Sequence, residues 1–271
     1  MAFAHLFALG AALSWTLASL FSHQAALRFG SLHFNRLRML AAAILLVIMT
    51  ALTGGNFAMP PAFWLPVFLS SIVGVVLGDY FLFVAMRRLG PRRTAILFAA
   101  NAPIAAILGW LFLDEILSGL QILAILVGFV GICFAIIYGK RRDLLHIWEA
   151  ITPPLWIGIA AGCLAAFGQA IGVLLLRPVM SAGGDPMFVG LVRVTIAGLI
   201  FWLTWPFDRR KSEHALMPDI KLSLLILANG FFGLSFGVFL LLKALETGNV
   251  AEVTILSATS PVMILPFICY K

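Results

Sequence analysis

Long apolar runs alternate with short charged segments along the whole chain. Each run has about 20 residues and is rich in Leu, Ala and Phe, which is the length that an α-helix needs to cross a bilayer. The strands of a membrane β-barrel would be about ten residues long and would alternate between apolar and polar positions. The pattern therefore predicts an all-α polytopic membrane protein with nine helices. They span residues 2–27, 37–53, 62–86, 94–113, 117–138, 154–176, 188–206, 220–244 and 250–270.

The composition indicates that lipid, rather than water, surrounds most of the chain. Of the 271 residues, 62% are hydrophobic and 11% are charged, whereas a soluble domain has about 45–50% apolar and about 25% charged residues. This argues against a soluble enzyme, a disordered chain and a nucleic-acid-binding protein. Cys133, Cys163 and Cys269 lie inside apolar runs without a metal-binding spacing, so we interpret them as small buried side chains. We expect no cofactor and no metal.

The basic residues mark one side of the membrane. The net charge is +7, and 14 of the 18 Lys and Arg residues lie in the first, third, fifth and seventh gaps between helices. The positive-inside rule places these gaps in the cytoplasm and therefore the N-terminus outside. The set consists of Arg28, Arg36, Arg38, Arg87, Arg88, Arg92, Arg93, Lys140, Arg141, Arg142, Arg209, Arg210, Lys211 and Lys221.

Landmarks of the first five helices recur in the second half of the chain. The third helix contains a Gly-x-x-x-Gly pair at positions 74 and 78, and the eighth contains the same pair 159 residues later. The proline of the fourth helix at position 103 recurs 158 residues later in the ninth. Five helices per repeat would turn the second copy upside down in the membrane, an architecture of many secondary transporters. Chance similarity among helices rich in Leu, Ala and Gly is the alternative.

The repeat predicts the domain organisation. Residues 1–139 form a first five-helix repeat, residues 140–152 a basic cytoplasmic linker and residues 153–271 a second repeat. A tenth helix, matching the fifth, would lie beyond residue 271. We therefore expect the second repeat to be truncated, with nine helices present of ten.

Several short motifs resemble a known family. Residues 109–115 read Gly-Trp-Leu-Phe-Leu-Asp-Glu, with Pro103 upstream and Gly-Phe-Val-Gly at 128–131 downstream, and residues 88–95 read Arg-Leu-Gly-Pro-Arg-Arg-Thr-Ala. In this order they resemble the EamA domain of the drug/metabolite transporter superfamily. The resemblance implies ten helices and transport of small metabolites, often the export of amino acids or related compounds. Relatives are generally drawn with both termini in the cytoplasm, whereas the loop charges here predict an outside N-terminus.

Polar groups inside the predicted helices are the candidates for a transport site, because burying them in a membrane is costly. Asp79 is the sharpest, since an acid within the third helix could couple proton binding to substrate movement. It could instead form an ion pair with Arg87 at the helix end, or lie in a wet vestibule. The full set of substrate or coupling candidates is Asp79, Tyr80, Trp15, Asn101, Gln169, Arg193 and Glu115.

Each of the other candidates has a structural alternative. Asn101 could hydrogen-bond to a partner helix, and the arginines at positions 38 and 193 could extend to lipid headgroups. Glu115 could order the end of the fourth helix or cap the fifth together with Asp114. Pro103 and Pro261 are candidates for helix kinks and gating. Gly74, Gly78, Gly233 and Gly237 are interpreted as helix-packing positions.

The function predicted from these features is secondary transport. Small metabolites would move by alternating access between the two repeats, driven by protons or another gradient. A nucleotide-binding motif of the form GxxxxGK[ST] is absent from the sequence. A lipid flippase or a channel-like conduit could use the same fold, and a membrane enzyme is the least supported alternative, because the five histidines are scattered. The expected partners are a small-molecule substrate and the lipid bilayer of a bacterial inner membrane, with no nucleic acid, and the glycine faces could hold a homodimer.

Overall fold

The computed structural model describes residues 2–55, 57–137, 154–207 and 220–263. In this part of the chain it contains nine α-helices and no strand, which confirms the predicted fold class. They are α1 (residues 2–29), α2 (Leu32–Leu52), α3 (Pro61–Gly90), α4 (Arg93–Leu113), α5 (Gly119–Ile137), α6 (Leu155–Ser181), α7 (Pro186–Leu203), α8 (Ile220–Leu245) and α9 (Val250–Ser257 with Ser260–Met263). Seven of them, α1 to α4 and α6 to α8, are long and apolar enough to cross a membrane.

Two glycines turn the chain sharply where helices meet. The helical backbone runs from Ala2 to Leu52 and is broken at Gly30, which has φ 73° and ψ 167°. Gly90, with φ 79° and ψ 165°, separates α3 from α4 in the same way. Only glycine adopts these angles at little cost, because it lacks a Cβ atom. These turns therefore join consecutive helices almost without a loop.

Irregular backbone recurs at the spacing that the sequence repeat predicts. A π-helical segment covers Ser71–Leu77 in α3, and another covers Gly230–Phe236 in α8, 159 residues later. A two-residue turn interrupts α4 at residues 99–100, and a similar turn interrupts α9 at residues 258–259. Each interruption lies a few residues before the matched proline, whose ring disfavours a continuous helix. The opposite orientation of the two halves in the membrane stays a prediction.

Helices of the two halves pack against one another in matched pairs. In one set, α3 packs on α6 and on α7; in the other, α8 packs on α1 and on α2; and α4 packs on α9. Many of the buried side chains at these contacts are alanines, which let helices approach closely. Large apolar side chains such as Trp110, Phe112 and Leu203 face outward instead, as expected for a surface in contact with lipid.

Two sequence expectations need correction. The second helix was expected to begin at residue 37, but α2 already includes residue 32, so Arg36 and Arg38 lie inside a helix and not in a loop. Cys163 was expected to be buried and is exposed on α6, where a lipid-facing thiol costs little. The linker at 140–152 and the end of the ninth predicted helix lie outside the described residues, as does the side chain of Pro261.

Candidate functional site

A buried ion pair joins α2 to α3. The guanidinium Nη2 of Arg38 donates to Oδ2 of Asp79, and Arg38 is only 6% exposed. Asp79 lies 11 residues before the end of α3, about 16 Å along the helix axis, and directly after the π-helical segment. π-Helical segments within α-helices are often found at functional sites. The pair therefore lies well inside α3, away from both of its ends, and α3 is long enough to span a bilayer.

Two amide side chains complete the surroundings of Arg38. Its Nε donates to Oδ1 of Asn35 at 2.8 Å, and its Nη1 lies 3.5 Å from Oδ1 of Asn229 on α8. Asn229 also donates through Nδ2 to the carbonyl oxygen of Ala18 on α1, at 2.9 Å. We refer to Asn35, Arg38, Asp79 and Asn229 as the central polar cluster. It connects helices of both halves, and its hydrogen bonds offset part of the cost of burying the charges.

Aromatic rings cover the same guanidinium. The Cζ atom of Arg38 lies 4.9 Å from the ring centre of Phe83 and 5.8 Å from that of Phe34. A cation over an aromatic face is attracted by the negative charge density of the ring. Phe34 and Phe83 are themselves fully buried and pack edge to face. The rings therefore fix the orientation of the guanidinium towards Asp79.

Arg193 on α7 is the second arginine of this region. It is 4% exposed, and its charge interacts with Asp79. Its Nη2 lies 3.2 Å from the position that a Cβ atom would take at Gly74 and 3.6 Å from that position at Gly172. Among the described residues its Nε has no hydrogen-bond partner. The guanidinium therefore lies against two glycines where α3 crosses α6.

The environments of Arg38 and Arg193 match each other across the two halves. The carbonyl oxygen of Arg193 accepts from Oγ of Ser71, at the start of the π-helical segment of α3, at 2.6 Å. The carbonyl oxygen of Arg38 lies 3.3 Å from the Cβ position of Gly230, at the start of the π-helical segment of α8. Neither side chain reaches the lipid headgroups, so that expectation is wrong for both. The attraction of the buried Asp79 carboxylate provides the physical reason.

Glu115 belongs to a second polar group, which lies where α4 ends and α9 begins. Its carboxylate oxygens accept from the backbone N–H of Val250, the first residue of α9, at 3.0 and 2.9 Å. Arg177 on α6 places its Nε 3.6 Å from the same carboxylate and donates to the carbonyl oxygen of Leu245 at 3.1 Å. Glu115 thus caps α9 in the structure and not α5, while Asp114 is an exposed residue with φ 52°.

The remaining candidates are dispersed. Trp15 donates through Nε1 to the carbonyl oxygen of Gly233 at 3.0 Å, and Asn101 donates to the carbonyl oxygen of Phe98 within its own interrupted helix at 2.6 Å. Tyr80 is 39% exposed and contacts the ring of Phe81. Gln169 on α6 is half-buried. Of the seven candidates, the structure therefore brings together only Asp79 and Arg193.

The paired glycines lie at the crossings between halves. A Cβ atom at Gly74 would lie 3.0 Å from the Cα atom of Gly172, and one at Gly237 would lie 2.9 Å from Nε1 of Trp15. At Gly233 the nearest atom would be the Cβ atom of Ala18, at 3.3 Å, whereas Gly78 leaves 3.6 Å or more. Side chains at the first three positions would push the helices apart.

The sequence of these helices is matched by one family model. The model of the EamA-like transporter family covers residues 2–137 and 156–270. The chain belongs to the EamA-like transporter family. It is therefore a multi-pass integral membrane protein and a transporter of the drug/metabolite type.

The fold of this EamA-like transporter is also found among solved structures, of which 17 chains match. One, described as "Crystal structure of protein", aligns with a TM-score of 0.75 and 17% sequence identity over 98% of this chain and 87% of that chain. At this identity the likeness shows the fold alone. No curated protein matches the chain.

In this EamA-like transporter, sequence reasoning did not predict that Asn35, Arg38 and Asn229 lie around Asp79. All three are at most 6% exposed. Arg38 was counted among the loop charges, and the available signal was its match to Arg193 in the repeat. The amides carried no such signal, because their role depends on how α1, α2 and α8 meet. Among the described residues, no group of three His, Cys, Asp or Glu could hold a metal ion.

Proposed function

We propose that this EamA-like transporter is a gradient-driven secondary transporter of small metabolites, such as amino acids or related compounds. The observation that carries the proposal is the buried ion pair of Arg38 with Asp79, in which the guanidinium also approaches Asn229 of the second half. Intramembrane ionisable groups of this kind usually mark substrate or proton pathways. The membrane would be the bacterial inner membrane, with the basic loops in the cytoplasm and the N-terminus outside.

Proton coupling would act through the carboxylate of Asp79. The deprotonated form attracts Arg38, and a proton on Oδ2 removes that attraction. The hydrogen bonds of Asn229 to Arg38 and to Ala18 connect the pair to α8 and α1. A change in the charge of Asp79 would therefore alter the balance of contacts between the halves, as alternating access requires.

The rocking of the halves would occur at the glycine contacts. α3 crosses α6 at Gly74 and Gly172, and α8 crosses α1 at Gly233 and Ala18. Small residues leave smooth surfaces that can change their crossing angle with few side-chain clashes. The interruptions at residues 99–100 and 258–259 give α4 and α9 points of bending.

The experiment is flux into proteoliposomes with a mixture of ¹⁴C-labelled amino acids, with and without a proton gradient. We expect saturable flux that the gradient stimulates, and a loss of that stimulation in Asp79→Asn. The matched control is Asp114→Asn, because Asp114 is exposed and asparagine tolerates its positive φ. Size-exclusion profiles establish that each variant is folded before flux is compared.

Two outcomes would contradict the proposal. Flux that is equal in the wild type and Asp79→Asn, and insensitive to the gradient, would remove the coupling role from Asp79. Movement of a fluorescent phospholipid between leaflets, without saturable flux of any water-soluble probe, would indicate a flippase.

A further inference from the structure

The central polar cluster and the neighbouring Arg193 together contain two positive charges and one negative charge. Arg38 and Arg193 share one carboxylate, that of Asp79, among the residues that the structure describes. The other described acids lie at helix ends or on the surface. They are Asp114, Glu115, Asp185, Glu246 and Glu252. Since the side chain of Arg38 already hydrogen-bonds to Asp79, the charge of Arg193 lacks a direct counter-ion in the described part of the chain.

A third buried arginine has a different and complete explanation. Arg36 donates through Nε to the carbonyl oxygen of Phe201 and through Nη2 to Oγ1 of Thr204, both at 2.8 Å. These acceptors lie at the C-terminus of α7, where the partial negative charge of the helix stabilises a cation. Its Cζ atom also lies 5.1 Å from the ring centre of Trp205. The buried charge of Arg36 is thus compensated by two oxygen acceptors and an aromatic ring, as expected for a structural role.

The guanidinium of Arg193 has no comparable set of acceptors. Its Nε is buried without a hydrogen-bond partner in the described residues. Its Nη2 lies beside Gly74 and Gly172, which have no side chain that could accept a hydrogen bond from it. A buried charge that is unpaired is costly unless a ligand supplies the missing partner. The guanidinium of Arg193 therefore has a buried donor, Nε, for which the described residues provide no acceptor.

We propose that Arg193 on α7 binds the carboxylate group of the transported substrate. The inference rests on the proposed transport function and adds the substrate class. A carboxylate accepts two parallel hydrogen bonds from the planar guanidinium, and its single charge balances the single excess charge. A phosphate would bring a second charge, for which the described residues offer no partner of the same kind.

Loss of Arg193 and loss of Arg38 should therefore have different effects on the stability of the protein. Replacing Arg193 with Met removes a charge that lacks a counter-ion, so the melting temperature of the substrate-free protein stays equal or rises. Replacing Arg38 with Met leaves Asp79 without its ion-pair partner, so the melting temperature falls. A purely structural Arg193 would show the same fall as Arg38.

The test measures the melting temperature of the purified chain in detergent against increasing concentrations of benzoate or hexanoate. Benzamide and hexanamide are the matched neutral probes, and inorganic phosphate is the dianionic probe. We expect stabilisation by the carboxylates alone, its loss in Arg193→Met and a weakening of at least about tenfold in Arg193→Lys, which keeps the charge but loses the planar fork. Arg87→Gln is the control, because Arg87 is exposed.

Several results would overturn the inference. These are equal stabilisation by amides and carboxylates, stronger stabilisation by phosphate, no stabilisation by any carboxylate, or an unchanged carboxylate response in Arg193→Met. If that variant cannot be purified folded, Arg193 is structural and the inference also fails. Flux of neutral or cationic compounds that does not depend on Arg193 would leave the transporter function intact and overturn only the substrate class.

Discussion

The carboxylate of Glu115 caps the helix that begins at Val250. It accepts the backbone N–H of Val250 at 3.0 and 2.9 Å, across 135 residues of sequence. The first N–H groups of a helix have no partner within the helix, and the helix dipole favours a negative charge there. Because Glu115 follows α4 and Val250 begins α9, this contact joins the two halves at one end of the molecule. Arg177 strengthens it by its proximity to the same carboxylate.

Replacing Glu115 with Gln should therefore destabilise the protein. We expect a loss of about 1–2 kcal/mol in the free energy of unfolding, because the amide keeps the shape but loses the charge towards α9 and Arg177. Reversible unfolding of the purified protein in mixed micelles measures this change. Asp114→Asn is the neighbouring control and should stay within about 0.5 kcal/mol. Equal stabilities for both variants would show that the cap is energetically irrelevant.

The Glu115 contact illustrates which features a sequence can predict. The lengths of the apolar runs predicted the helices, and the glycine pairs predicted a repeat with a spacing of 159 residues. The π-helical segments of α3 and α8 recur at that spacing, but the sequence did not predict them. The helix that Glu115 caps could not be predicted, because the choice between α5 and α9 depends on how distant helices pack. The ion pair of Asp79 was missed for the same reason, since Arg87 was nearer in sequence than Arg38.

Replacing Gly74 with Ala should separate α3 from α6. A Cβ atom there would lie 3.0 Å from the Cα atom of Gly172 and 3.2 Å from Nη2 of Arg193, and backbone atoms cannot yield without moving a helix. We expect a loss of about 1–3 kcal/mol in the free energy of unfolding. Gly128→Ala is the matched control, because nothing lies within 4 Å of its Cβ position. The prediction is wrong if both alanine variants unfold at the same denaturant concentration.

Replacing Arg36 with Gln should remove the cation that α7 requires at its C-terminus. The carbonyl oxygen of Phe201 would lose a charged donor, and Arg36 is fully buried, so that water cannot replace it easily. We expect a destabilisation of about 1–3 kcal/mol. The melting temperature of Arg36→Gln, compared with that of the exposed Arg87→Gln, measures it. A melting temperature unchanged from that of the wild type would contradict the structural role of Arg36.

The ion pair of Arg38 and Asp79 should show strong coupling in a double-mutant cycle. Asp79→Leu alone leaves the buried guanidinium of Arg38 without its carboxylate, and Arg38→Met alone leaves the buried carboxylate of Asp79 without its guanidinium. Each single variant should therefore lose about 3–5 kcal/mol of unfolding free energy. The double variant removes both charges and should cost less than the sum of the two single variants, by about 0.5–3 kcal/mol or more. Additive losses in the measured unfolding free energies would mean that the two side chains do not depend on each other.

Labelling of single cysteines tests the orientation predicted from the loop charges. Ala58 lies just before α3 and Arg87 lies in its last turn, and both are exposed; α3 has 30 residues and is long enough to span the bilayer between them. In a variant without the native cysteines, Ala58→Cys should react with a membrane-impermeant maleimide in intact cells, because the N-terminus and the gap after α2 are predicted outside. Arg87→Cys should react only after lysis, because it belongs to the basic, cytoplasmic set. The reverse pattern, with Ala58→Cys protected and Arg87→Cys accessible in intact cells, would place the N-terminus in the cytoplasm and contradict the orientation predicted from the loop charges.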